Sequence, residues 1–187
     1  MLQLSPLVNE LISADRVCEL GPGTPNETLR SKLAALTIDN LFAGQQIVDA
    51  SAARCCLAGL WLLHDFLDES HALSQEIETH DGSYWHGIMH RREPDYGNSK
   101  YWFRRVGSHP IFPQLLAQAQ ELIATEQPLD AIAGEIVQAQ NWDPFRFVDW
   151  CEQLARGRAK QEQLTRQIAQ AEWRLLFAHC AVRGRGG

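Results

Sequence analysis

Apolar residues recur along this chain at spacings of three and four, and no alternating run of β-branched residues interrupts them. A helix turns about 100° per residue, so this spacing gathers apolar side chains on one face. The pattern therefore predicts an all-α fold. The longest helical candidate runs from about Gln46 to Glu76. Its segment "IVDASAARCCLAGLWLLHDFLDESHALSQ" has no proline and only Gly59. The first half is apolar almost all round, as a buried helix requires, so the expectation is an irregular single-domain bundle around a long central helix.

Punctuation marks the other elements. "TPNETLRSKLAAL" reads as a capping box, with Thr24 at the cap, Pro25 at the first helical position and Glu27 three residues on. "DPFRFVDWCEQLARG" repeats this with Asp143 and Pro144 and closes on Gly157. A polar turn, "ETHDG", precedes a short helix from about Ser83 to Arg92 that Pro94 stops, and a further helix is capped by Asn98 and ends before Gly107. "PQLLAQAQELIATEQ", a piece from Ala131 to Gln138, and the amphipathic Ala159 to Val182 complete the set. One helical domain is expected over 1–182, with a frayed tail at 183–187.

The stretch from His64 to Glu93 carries five of the seven histidines. His64, Asp68 and His71 stand at i, i+4 and i+7, and so do His86, His90 and Glu93, so each set falls on one face of a helix. In an antiparallel hairpin that reverses near Glu78 and Thr79, His71 lies level with His86, Asp68 with His90, and His64 with Glu93. Imidazoles and carboxylates in that arrangement suit a divalent transition metal such as Zn, Fe, Mn or Ni. Helical bundles hold such ions on inward-facing Glu and His. His64, Asp68, His71, His86 and His90 are the candidate ligands or acid/base groups, with Glu93 a further candidate ligand. Asp65, Glu69 and Asp81 could orient the imidazoles. The plainer reading of the same residues is a hydrogen-bonded polar network between two helices.

From Gly82 to Pro110 large aromatics alternate with charge. Arg91, Arg92, Lys100, Arg104 and Arg105 outnumber Glu93 and Asp95 in a chain whose net charge is −6. Arginine forks match planar anions, and aromatic faces stack on rings. These five cations and Tyr101 are therefore the candidate contacts for a small polar or anionic substrate. Ser83 would stand near a helix start favourable to an anion. The acidic balance disfavours nucleic acid as a partner.

No P-loop, G-x-G-x-x-G or G-x-S-x-G is present, so no nucleotide cofactor is indicated. The five cysteines lack both CxxC spacing and the density of a disulfide framework and read as reduced, buried thiols. The amino terminus lacks a signal-peptide pattern, and the longest apolar run, "CCLAGLWLL", falls short of the ~20 residues a span needs. A cytoplasmic protein that does not enter the membrane is expected.

The run "GLWLLHDFLDESHALSQEI", followed by "GSYWHGIMHRREPDYGNSKYWFRRVGSHP" and later by "WDPFRFVDWCE", resembles a family of uncharacterised bacterial and fungal proteins bearing the same string. The resemblance covers Ala58 to Ile111 closely and brings no activity and no catalytic residues. The function expected from the residues is a metal-assisted enzyme, hydrolase- or isomerase-like, acting on a small polar or anionic substrate. The alternatives are a non-catalytic binding module for an anionic metabolite, or a helical interaction protein that uses the Ala159 to Val182 helix as a homo-oligomer interface.

Overall fold

The computed structural model describes residues 3–13 and 16–185, and among these it is all-α. Ten α-helices follow in order: α1 (Pro6–Ser13), α2 (Arg30–Ala34), α3 (Ala50–Leu63), α4 (Leu67–Ser74), α5 (His80–Arg92), α6 (Tyr96–Val106), α7 (Phe112–Ile123), α8 (Ala131–Gln138), α9 (Pro144–Ala155) and α10 (Glu162–Arg185). Short 3-10 turns occupy Glu27–Leu29 and Ile38–Asn40. One contiguous apolar cluster runs through the helices, in which α5 packs against α6, α4 and α3, and α10 packs against α3 and α7.

The single long helix expected from Gln46 to Glu76 is two helices, with a break at His64 to Phe66. Phe66 N–H donates to the Trp61 carbonyl (3.0 Å), and Asp65 N–H donates to that of Leu62 (3.2 Å). Asp65 has φ +63°, and the Trp61 and Phe66 rings meet edge-on at 5.1 Å. These are the two hydrogen bonds, the left-handed residue and the apolar contact of a Schellman C-cap. Aspartate stands where glycine is usual, which an L-residue with a short polar side chain tolerates. The Asp65 carboxylate is held by Arg92 and Arg16. Gly23 approaches so closely that a Cβ there would lie 2.5 Å from Asp65 Cγ.

Other boundaries moved for equally local reasons. Thr24 does not cap a helix, because Glu27 opens a 3-10 turn and pairs with Arg30. The α5 helix begins at His80, with Thr79 as cap accepting from Gly82 N–H (3.0 Å), so Ser83 lies inside the helix and is buried. Asp95, rather than Asn98, caps α6. The Asp143–Pro144 start and Gly157 close of α9 stand as expected. Helix α10 continues through Arg185, so residues 183–185 of the expected tail are helical; residues 186–187 lie outside the described residues.

Every residue of α5 from Asp81 to Arg92 is buried, although the helix is largely polar. Buried polar groups need partners to offset lost hydration, and most of them find one. Tyr84 Oη donates to Glu172 Oε1 (3.0 Å), and Arg91 Nη2 donates to Glu172 Oε2 (2.5 Å). Arg92 donates to the carbonyls of Leu62 (2.6 Å), Gly21 (3.0 Å) and Pro22 (3.1 Å) as well as to Asp65. The "GPG" turn is thus a cradle for a buried arginine. All five cysteines are free and buried, and burial pushes the Cys18 and Cys151 thiols up to about 11. No helix among the described residues is long and apolar enough to cross a membrane.

Candidate metal centre

His86 and His90, one turn apart on α5, share a face, and their rings stack at 4.6 Å with 22° between planes. The chain reverses at Glu78 and Thr79, so α4, which precedes the turn, brings His71 alongside. Its ring meets His86 edge-on at 4.8 Å and His90 at 5.3 Å. The pairing of His71 with His86 is the one the hairpin register predicts. A ligand nitrogen from each of the three lies within 4.8 Å of the others. Modest side-chain rotation would draw such a trio toward the ~2.0–2.1 Å bonds that zinc makes to imidazole. On α6, Trp102 stacks on His86 at 4.0 Å and 13°, which fixes that ring.

The lone pairs of this trio are largely uncommitted. His86 is buried, and its Nδ1 has no hydrogen-bond partner among the described residues. His90 Nδ1 lies 3.0 Å from Glu93 Oε2, so an N–H there donates to the carboxylate and leaves Nε2 as the lone-pair atom. The Asn98 amide nitrogen stands 3.0 Å from His90 Nε2 and 3.4 Å from Nδ1. The two nitrogens point away from each other across the ring, so a donor aligned with one lone pair is remote from the other. Near-equal distances place the amide over the ring face, where it leaves the in-plane lone pair of Nε2 open.

Burial, then the proximity of His90 and His71, then Arg105, push the His86 imidazole down to about 3. Burial likewise lowers His90, against the pull of Glu93. Both rings are therefore neutral near pH 7, the form that ligates metals.

Not every expected member joins. His64 ends α3 on the far side of the Schellman turn, fully buried. Its Nε2 lies 3.1 Å from the Leu11 carbonyl, to which it donates. It belongs to the core and not to the trio. Asp68 is exposed and also stays outside. Both depended on an unbroken helix, and the left-handed Asp65 turns α4 away from the α3 register. Glu93 reaches the site as the partner of His90 rather than as a separate ligand.

The expected substrate cations divide by helix face. Arg91 and Arg92 point inward and are consumed by Glu172 and by Asp65 with three carbonyls, so neither can meet a substrate. Lys100 pairs with Asp149 at 2.5 Å. Arg104, Arg105 and Tyr101 are exposed. The two arginines have no ion-pair partner among the described residues, and Arg105 lies over the Trp102 ring at 5.0 Å. The column from Arg105 through Trp102 to His86 leads from solvent to the trio.

A second group, Asp81, His109 and His179, escaped the sequence reading, because its members are far apart in the chain and share no spacing. Asp81 Oδ1 accepts from His109 Nε2 (2.8 Å) and faces His179 Nε2 (3.3 Å), while Oδ2 accepts from Arg183 (2.6 Å). Ile111 N–H approaches His109 Nδ1 at 3.4 Å, so the proton sits on Nε2. A metal at Nε2 would require the proton on Nδ1, facing another N–H. Asp81 is thus the satisfied centre of a hydrogen-bonded clasp joining α5 to α10. Only the conjunction of buried Asp81 with two otherwise isolated histidines could have signalled it.

No protein-family model, curated protein or solved structure matches this chain.

Proposed function

We propose that the chain is a metal-dependent, hydrolase-like enzyme whose ion is held by His71, His86 and His90. Supporting this is the convergence of three imidazoles with open lone pairs, one of them buried and unpartnered. Three protein nitrogens around zinc leave a fourth position for water, and an ion so placed lowers the pKa of that water toward ~7. Of the ions the residue types suit, zinc fits an all-imidazole set with an open position best.

Each neighbouring side chain then has a role. Glu93 fixes the His90 tautomer and raises its basicity, as carboxylates do for metal-bound histidines. Trp102 holds the His86 plane. Arg105, exposed beside Trp102, supplies the positive charge that draws an anionic substrate to the open side, where His71 is only half-buried. A water activated on an ion makes hydrolysis a more direct outcome than isomerisation.

The test uses protein made without a histidine tag, stripped with chelator and reloaded with zinc. About one equivalent should bind. Hydrolysis of p-nitrophenyl phosphate or p-nitrophenyl acetate should follow metal content and vanish in His86→Ala. Binding below ~0.1 equivalent after reloading, with hydrolysis unchanged in His86→Ala, would overturn the proposal.

A further inference from the structure

A cavity of about 770 Å³ opens between α6, α7 and the start of α9, away from the histidine trio. We propose that it is a second ligand site, for a small molecule with a flat apolar body and a single carboxylate. Its volume lies within the ~300–1,000 Å³ usual for small-molecule pockets. Its walls are aromatic: Phe103, Phe112, Trp142 and Phe145 all face the space. Such walls favour a flat ring, since stacked and edge-on contacts add to the burial of area. His109 closes one end, buried and held by Asp81, so that wall is rigid.

The charge of the ligand follows from the cations of α6. Lys100 is committed to Asp149, and Arg105 lies beside Trp102, outside the cavity lining. Arg104 alone of the three lines the cavity, exposed and without an ion-pair partner among the described residues. Asp143 is the one acid on the wall, and its carboxylate accepts from Phe145 N–H (2.8 Å) as the cap of α9. A cap carboxylate is offset by the positive end of the helix it caps, which leaves Arg104 as the uncompensated charge. One planar guanidinium matches a carboxylate bidentately and balances its single charge, whereas a phosphate monoester carries close to two negative charges near pH 7.

The occupant is independent of the metal, because none of the three ligand histidines lines this cavity. Calorimetric titration of the full chain with naphthalene-2-carboxylate, and with naphthalene-2-carboxamide as the neutral isostere, tests the assignment. The carboxylate should bind about tenfold more tightly than the amide. Arg104→Gln should remove that tenfold preference by weakening the acid alone. Asn141→Trp, at an exposed wall position, should fill the space and abolish both. Both substitutions lie at exposed positions, so unchanged thermal melting should accompany them. No binding of either compound at millimolar concentration, an Arg104→Gln variant that keeps its preference for the acid, or an Asn141→Trp variant that still binds both would each overturn the site.

Discussion

At the scale of single residues, neighbours in sequence have opposite fates. Arg91 and Arg92 were equivalent as candidate substrate cations, yet both are interior. Arg91 lies over the Phe147 ring with Glu172 on its fork, and Arg92 is locked among carbonyls. A run of charge does not reveal which face of its helix is buried, so their partners, Asp65 and Glu172, could not be assigned in advance. The trio was more legible. His71 and His86 meet because the turn midpoint fixed their register, and His90 follows one turn on. Glu93 carries the residue-scale prediction. Glu93→Gln keeps the shape but removes the charge that makes His90 a better donor to an ion, so zinc affinity should fall roughly 10–100-fold with folding intact. Competition with a chromophoric chelator measures it, and an unchanged affinity would remove Glu93 from the site.

At the scale of elements, the misread feature was the stop of α3. Helix ends are sought at glycine and proline, and "LLHDFLDE" has neither. Asp65 takes the left-handed position that glycine usually fills, and the only sequence trace is the Trp61 and Phe66 pair that closes the motif. That break removed His64 and Asp68 from the expected ladder. The following reversal depends on Gly82, where a Cβ would collide with the Ile77 carbonyl oxygen. Gly82→Ala must open the turn or shift α5. It should cost about 1–3 kcal/mol in denaturant unfolding, the range for overpacked positions, and lower metal affinity with it. A variant as stable as the parent would show that the turn does not fix the register of the trio.

At the scale of the whole molecule, the amphipathic Ala159 to Val182 segment, a candidate oligomer interface, spends its apolar face within the bundle against α3 and α7, and of its large apolar residues only Val182 is exposed. Interior histidines also give the whole fold a pH dependence. Burial lowers both His64 and His86 below the ordinary 6.5, so the unfolded chain binds more protons than the folded one once the pH drops below that value. Their contribution is complete above pH 6.5 and is lost on acidification, down to about 3 for His86. Each neutral histidine contributes a slope of at most about 1.4 kcal/mol per pH unit. Chelator-treated protein should therefore lose stability between pH 7.5 and 5.5 in urea titrations, about 1.4 kcal/mol of it from His86 with a further loss from His64, and a flat or rising profile would contradict it.

The most direct test of the central claim is a cobalt(II) titration of tag-free protein followed in the visible range. The account predicts ligand-field bands that saturate at about one equivalent, disappear in His86→Ala and persist in His64→Ala and His179→Ala. Bands that survive His86→Ala, or that vanish only with His179→Ala, would contradict it and move the metal away from His71, His86 and His90.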